Sequence, residues 1–428
     1  MFISFPFAQG LARRARFAML LALLPCKGMA VGLSFDDALA LALREAPLLT
    51  ANEALTDAAR QAAIPAGELP DPQLALGIDN LPIEGADRFN LSRDFMTMQR
   101  VGVSQTFTNP YKLDARTAAA EGRVALAEAQ TRLTRLQVLR ETAVAWISRE
   151  AVERQLAHIA ELEDENRLFE RIVKARFAGG AGMASELLAP RQEAALIAER
   201  RDELDSRHAQ AVAQLKRWIG EAASQALIGA APDWPINRDA LSHGLHRHPE
   251  LDLFNPKNRV LDAEVEEAKA DKIPDWALSL AYQRRGSAHS DLVSLQVSVD
   301  LPVFSDSRQQ PKLEAKLLER NALAAERQAA LREHTAMLET GLAEHQRLSN
   351  AVKRAREVLI PLAVEKVSLT LAAWRGNQGD LPTLLAARRE RIDAELKAIA
   401  LEGERRSAAA RLHYAYGVQT LEDAEPQP

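Results

Sequence analysis

The sequence predicts a mainly α-helical fold with a small β part, in which one structural unit is used twice. Three observations carry the prediction. The same signals recur in the same order in both halves of the 428 residues, as internal repeats do. Four short segments alternate apolar and polar residues with period two. Two proline-poor runs keep a helical composition for longer than a globular domain is wide. Composition agrees: aromatics make up 5% while Ala, Leu, Glu and Arg dominate, which favours long helices over a compact enzyme-like core. The formal charge of −5 comes from interleaved acids and bases, so no basic patch points to nucleic acid.

Residues 1–30 read as a secretory signal peptide. Arg13, Arg14 and Arg16 precede the apolar run Phe17–Pro25, and Gly28 and Ala30 supply small residues for a cut after Ala30. The run is too short to span a bilayer as a helix. Cys26, the sole cysteine, lies in this leader, and cleavage after Ala30 removes it. The mature chain then has no disulfide and no thiol chemistry. The alternative makes Cys26 a lipidated N-terminal residue. Against it stands Pro25, since Gly or Ala usually precedes such a cysteine.

The first repeat, residues 31–230, opens with DDALALALREAP (Asp36–Pro47); the second, 231–417, opens with RDALSHGLHRHP (Arg238–Pro249), 202 positions later. Each opening helix leads to two alternating segments, giving strands expected near 73–81 and 100–109, then 275–284 and 292–302. Leu74, Leu76 and Ile78 alternate with Ala75, Gly77 and Asp79, and Val293, Leu295, Val297 and Val299 with Ser294, Gln296 and Ser298. These lengths approach the roughly 9–11 residues with which a tilted strand crosses a bilayer. Phe107, Trp276, Tyr282 and Phe304 fall near strand ends, where interfacial aromatics sit. Four strands cannot close a barrel, and open edges are forbidden in lipid. Other copies of the chain must therefore complete the sheet, and three copies would supply twelve strands. The loop between the first two strands is ten residues longer than its counterpart. Met96 and Met98 belong to that loop or to the start of the second strand, and no metal role is assigned to them.

Long helical hairpins follow over 112–220 and 311–416. The first rod runs from about Leu113 to Arg176 with Gly122 as a weak point, a length on the order of 95 Å. The second runs from about Lys312 to Trp374 and contains Pro361, which should kink it. Each ends in a turn and a returning helix. Phe177 matches Trp374, Gly180 matches Asn377, Gly182 matches Gly379, and Leu187 and Leu188 match Leu384 and Leu385, all 197 apart. Gly and Asn best tolerate the left-handed conformation that ends a helix. These tips are where a partner could dock.

Other constellations carry no chemistry. His243, His246 and His248 do not share one helical face, and they read as solvated surface histidines, as does the run Glu163–Asn166 as a solvated helix face. No nucleophile elbow, phosphate loop, HExxH or paired catalytic carboxylate is present. No catalytic, cofactor-binding or metal-ligating residue is expected. Residues 418–428 read as a disordered tail.

The tandem strand–loop–strand units, the long helices and the tip pattern (aromatic-x-x-Gly or Asn, then Leu-Leu and a small residue) together resemble the TolC-type outer membrane factors, exit ducts of Gram-negative efflux and secretion systems. The resemblance covers nearly all of the mature chain. It implies a homotrimer with a twelve-stranded transmembrane β-barrel in outer membrane lipid, continued by a twelve-helix periplasmic α-barrel. It also implies docking, at the tips, to a periplasmic adaptor (membrane fusion) protein that couples the duct to an inner-membrane RND pump. Such ducts conduct passively and are not enzymes. The segments Asp94–Phe107 and Glu68–Pro82 are most similar to the CzcC/CusC branch, which serves heavy-metal exporters. Some family members narrow the periplasmic entrance with acids just after the second tip. Thr383 and Ala386 occupy those positions here, leaving Asp380 and Glu186 as substitutes for a constriction. The alternatives are a duct for drugs or type I protein secretion and, in a different class, a periplasmic coiled-coil adaptor, which would carry a single hairpin.

Overall fold

The computed structural model describes residues 32–417. The leader with Cys26 and the tail 418–428 lie outside those residues. Helices α1 (Phe35–Glu45) and α2 (Pro47–Ala63) come first, then strands β1 (Gln73–Asp79) and β2 (Met98–Phe107), then α3 (Pro110–Ala178) and α4 (Ala189–Ile219). The order then recurs as α5 (Arg238–Leu245), α6 (Pro249–Asp252), α7 (Phe254–Ala270), β3 (Trp276–Arg284), β4 (Leu292–Val299), α8 (Gln309–Arg354), α9 (Ile360–Arg375) and α10 (Leu381–Tyr416). The fold is mostly helical with one small sheet. Both opening helices start on a side-chain cap: Ser34 accepts the Asp37 N–H, and Asn237 accepts those of Asp239 and Ala240.

The four strands form one antiparallel sheet in sequence order, so the second strand of repeat one pairs with the first of repeat two. The register brings like faces together. Leu74, Val103, Leu280 and Leu295 lie side by side across the sheet, as do Leu76, Val101, Tyr282 and Val293. All eight are exposed in the single chain. The opposite face carries the rows Ala75–Gly102–Ala281–Ser294 and Gln73–Ser104–Ser279–Gln296. Phe107 stacks on Trp276 with ring centroids 4.2 Å apart at one end of the sheet. Strands β1, β2 and β4 stop two or three residues short of their expected C-terminal ends, while β3 ends at Arg284. Loop 80–97 between β1 and β2 is the long one, and 285–291 the short one. Met98 begins β2 and Met96 stands exposed just before it.

The sheet meets the helices at a polar junction. Asn109 caps α3, accepting the Tyr111 N–H, and donates from its side chain to the Ala270 carbonyl. Its own N–H donates to Asp275 at 2.8 Å, and the Lys112 ammonium bridges Asp275 at 3.0 Å and Asp271 at 3.1 Å. Burial would raise the Asp275 pKa, but the Asn109 N–H and Lys112 outweigh it and hold the carboxyl below its usual range.

Helix α3 is unbroken for 69 residues, about 100 Å of rod. Gly122 is not a weak point in it. A Cβ there would lie 2.8 Å from Val260 Cγ2 and 3.2 Å from Val260 N, so glycine lets α7 pack directly on α3. At Pro361 the second rod is not one continuous α-helix. Residues Ala355–Leu359 between α8 and α9 adopt a π turn, which absorbs the hydrogen bond that Pro361 cannot donate. The run Glu163–Asn166 is only partly a solvated face, because Asn166 is buried and donates to the Pro190 carbonyl at 2.9 Å.

Cores line the hairpins in succession. Near the start of the first repeat, Phe35, Ala38 and Ala42 of α1 pack with Leu136, Leu139 and Trp146 of α3 and Leu215 and Ile219 of α4. In the second, Leu241 and Leu245 of α5 pack with Leu338 of α8 and Leu412 and Tyr416 of α10. Farther along, Ile159, Leu162, Ile197, Leu204, Ile392 and Leu396 join the two hairpins side by side. Among the described residues, no helix is long and apolar enough to cross a membrane.

Candidate functional site

The two hairpin tips end their ascending helices in the same way. After α3, the Ala181 N–H reaches the Arg176 carbonyl and the Gly180 N–H reaches that of Phe177, both at 3.0 Å. After α9, Gln378 N–H bonds Ala373 O at 2.9 Å and Asn377 N–H bonds Trp374 O at 3.2 Å. This paired bonding is the Schellman arrangement, and it demands a left-handed residue at one position. Gly180 has φ +77° and Asn377 φ +59°. The pairing of Gly180 with Asn377 read from the 197-residue offset therefore rests on backbone need.

The returning helices begin differently. Asp380 caps α10 by accepting the Thr383 N–H at 3.0 Å, and this bonding to Thr383 lowers its pKa. In the first tip a 3₁₀ turn, Ala184–Leu188, precedes α4, and Glu186 reaches back to the Met183 N–H at 3.3 Å. Gly182 and Gly379 sit under these turns. A Cβ on Gly182 would lie 3.0 Å from the Glu186 carboxylate, and one on Gly379 would lie 3.1 Å from Ala373 Cβ.

The side chains at matched positions part company. Phe177 is 42% exposed while Trp374 is 1% exposed, and Leu188 is 57% exposed against 7% for Leu385. Trp374 is the centre of an apolar cluster with Phe169, Val173, Ala189, Leu381, Leu384 and Leu385, against which Leu187 packs. Its indole N–H points at Glu186 Oε1, 3.4 Å away. The Glu186 carboxylate is thus turned onto Trp374 and the Met183 N–H, whereas Asp380 stays exposed.

Arg176 ties the tips together, and the reading of the residues did not single it out. Its guanidinium lies 4.4 Å over the Trp374 ring, donates to the Trp374 carbonyl at 2.8 Å, and bonds Asn377 Oδ1. It also holds its own turn through the Ala181 carbonyl at 3.2 Å. The signal was present in the repeat alignment, where Arg176 faces Ala373: a long cation opposite a methyl group breaks the copy at the tip.

The three histidines of the second opening segment divide. His243 and His246 are exposed, as expected, but His248 is buried. It packs 4.1 Å, ring to ring, from His334 of α8. His248 is not solvated because α8 and α10 come from far along the chain to cover its short helix.

Strand pairs set on long helical hairpins, twice in one chain, define the fold of the TolC-type outer membrane factors. Solved structures share it. A membrane protein from Pseudomonas aeruginosa superposes with a TM-score of 0.77 at 18% identity, over 90% of each chain. The channel protein CusC gives 0.74 at 14% identity, over 90% of this chain and 92% of that one. The CmeC outer membrane channel of Campylobacter jejuni gives 0.74 at 13% identity, over 90% and 85%. At such identities the likeness is one of fold. No protein-family model matches the sequence, and neither does any curated protein.

Proposed function

We propose that this chain is one third of an outer membrane duct, the passive exit of a tripartite RND efflux system, and not an enzyme. The observation that carries the proposal is the sheet. Its rows of exposed apolar residues run in register across all four strands, with small and polar residues behind them and, among the described residues, both edge strands, β1 and β4, unpaired on their outer sides. A lipid-facing belt with two open edges calls for neighbouring copies of the same sheet. Three copies make twelve strands, and the two hairpins of each chain make a twelve-helix periplasmic tube. The presence of two hairpins also speaks for the duct over an adaptor with one.

In this reading the tips dock with a periplasmic adaptor that couples the duct to an inner-membrane pump. Phe177, Gly180, Leu188, Asn377 and Asp380, all exposed, offer the contact; Trp374, Leu384 and Leu385 support it from beneath. Asp380, and not Glu186, is the acid free to face the periplasmic entrance. The substrate class rests on the sequence resemblance to the CzcC/CusC branch and is heavy-metal cations. The protein should fractionate with outer membranes and run as a trimer in mild detergent; a soluble monomer overturns the duct. Deleting the gene and measuring tolerance to copper, silver, zinc, cobalt and cadmium tests the substrate, and unchanged tolerance to all five overturns that part alone.

A further inference from the structure

Away from the tips and the sheet, the second repeat buries a group of donors that the duct does not use. His248 caps α6, its Nδ1 accepting the Glu250 N–H at 3.2 Å. His334 of α8 lies against it, with Nε2 3.2 Å from Glu250 Oε2 and Nδ1 3.4 Å from the Tyr416 hydroxyl at the end of α10. One ring nitrogen from each histidine and one carboxylate oxygen of Glu250 lie within 4.8 Å of one another. Both imidazoles are buried, and Glu250 closes the group on its exposed side.

Two of the buried polar positions in this group are apolar in the first repeat. The matched positions of the first repeat are Ala46 for His248, Leu48 for Glu250 and, 197 residues before Tyr416, Ile219. Ala46 and Ile219 are buried in an ordinary apolar core, and Leu48 is exposed as Glu250 is. Burying two imidazoles and a phenol instead costs desolvation that the apolar version avoids. That cost is explained if the group has a ligand.

We propose that His248, Glu250 and His334 form a binding site for one borderline divalent transition-metal cation of the zinc type, which staples α6 to α8. Two imidazoles, a carboxylate and an open position are a donor set such ions accept. Calcium and magnesium want all-oxygen shells, and monovalent soft ions want sulfur. The surroundings suit loading at His334. With the ion on Nε2, its ring proton sits on Nδ1 and donates to the Tyr416 hydroxyl, which in turn donates to the His334 carbonyl at 3.3 Å. That is the outer-shell support metal-bound histidines usually have. His248 binding through Nε2 gives up only its long cap bond from Glu250.

The test uses the full chain purified in mild detergent, stripped with a chelator and titrated with zinc chloride against a chromophoric competitor. One zinc per chain should bind, the thermal midpoint should rise with zinc, and cobalt chloride should give the visible absorption of a four-coordinate site. Glu250→Gln, at an exposed position, should weaken zinc by about tenfold or more without harming the apo fold; His334→Gln should abolish the cobalt spectrum. The double substitution His243→Gln/His246→Gln should leave both unchanged. Absence of stoichiometric zinc overturns the site. So does binding that survives Glu250→Gln undiminished, or binding lost with the two exposed histidines.

Discussion

At the tip of the first hairpin an aromatic ring faces solvent; at the tip of the second, its counterpart is buried within an apolar cluster. Phe177 and Trp374 occupy matched places on matched Schellman turns. At the other end of the hairpins, the first repeat buries Ala46 and Ile219 where the second buries His248 and Tyr416. Duplication has thus kept the turns that end the ascending helices and let the side chains around them diverge. Gly180 and Asn377 both take positive φ, and Gly220 and Gly417 both cap the returning helices through the carbonyl four residues before them. A tube built from such units alternates two surfaces around its axis. In the proposed duct, a docking partner would meet two different tip surfaces in alternation.

The contrast at the tips gives the largest expected effect. Trp374→Ala empties the centre of the second-tip cluster and should destabilise it locally by about 3–5 kcal/mol, seen as loss of hydrogen-exchange protection across α9 and the start of α10. Phe177→Ala should change stability by about 0.5 kcal/mol or less, while weakening crosslinking to an adaptor. Equal effects on protection would mean that the two tips are not distinct in the way described. Next comes the tie between them. Arg176→Ala removes several charge-assisted bonds and a cation–π contact, and should cost the turn at Asn377 about 1.5–3 kcal/mol of protection. Arg176→Lys should not restore it, since a single ammonium cannot stack on Trp374 and reach the Trp374 and Asn377 oxygens together. Full rescue by lysine would reduce the tie to simple charge.

Substitutions at the left-handed positions probe what the repeats share. Gly180→Val and Asn377→Val should each cost about 1–2 kcal/mol from the backbone alone and impair efflux while leaving trimers assembled. Asn377→Gly separates the two demands on that residue. It relieves the backbone and deletes the Arg176 acceptor, so its turn should lose protection even though its φ is better served. If Asn377→Gly is instead fully neutral in hydrogen exchange, the Arg176 contact is worth no more than the backbone relief that glycine brings.

Much of this architecture leaves local marks in the sequence. Period-two alternation marked the strands because each faces two environments, and glycine or asparagine marked the turns because few residues accept positive φ. Partners far apart in sequence leave no such mark. His248 looked solvated because the residues that cover it, His334 and Tyr416, lie far along the chain, and Gly122 looked weak because Val260 of α7, which needs that space, cannot be seen from α3. Pro361 was visible, but the π turn just before it left no mark of its own in the sequence. Arg176 stood in plain view within the tip motif. Only its mismatch with Ala373 hinted that the copies had parted there.

The smallest effect tests whether the first repeat forgoes a cap that the second has. Helix α2 starts after Ala46, which is extended (φ −66°, ψ 115°) and makes no side-chain cap, whereas His248 caps α6 at the matched position. Ala46→Ser keeps the backbone and offers a hydroxyl to the exposed N–H groups of the first turn, worth roughly 0.5–1 kcal/mol in chemical denaturation. The opposing term is desolvation, because Ala46 is buried against α3, and an unsatisfied hydroxyl there costs about 1–3 kcal/mol. A gain in stability means the vacant cap can be filled, so the apolar choice in repeat one was not forced by helix geometry. A loss means that the packing of α1 on α3 excludes polar atoms at this point. The second repeat then accommodates His248 only because Glu250, His334 and Tyr416 are there to receive it.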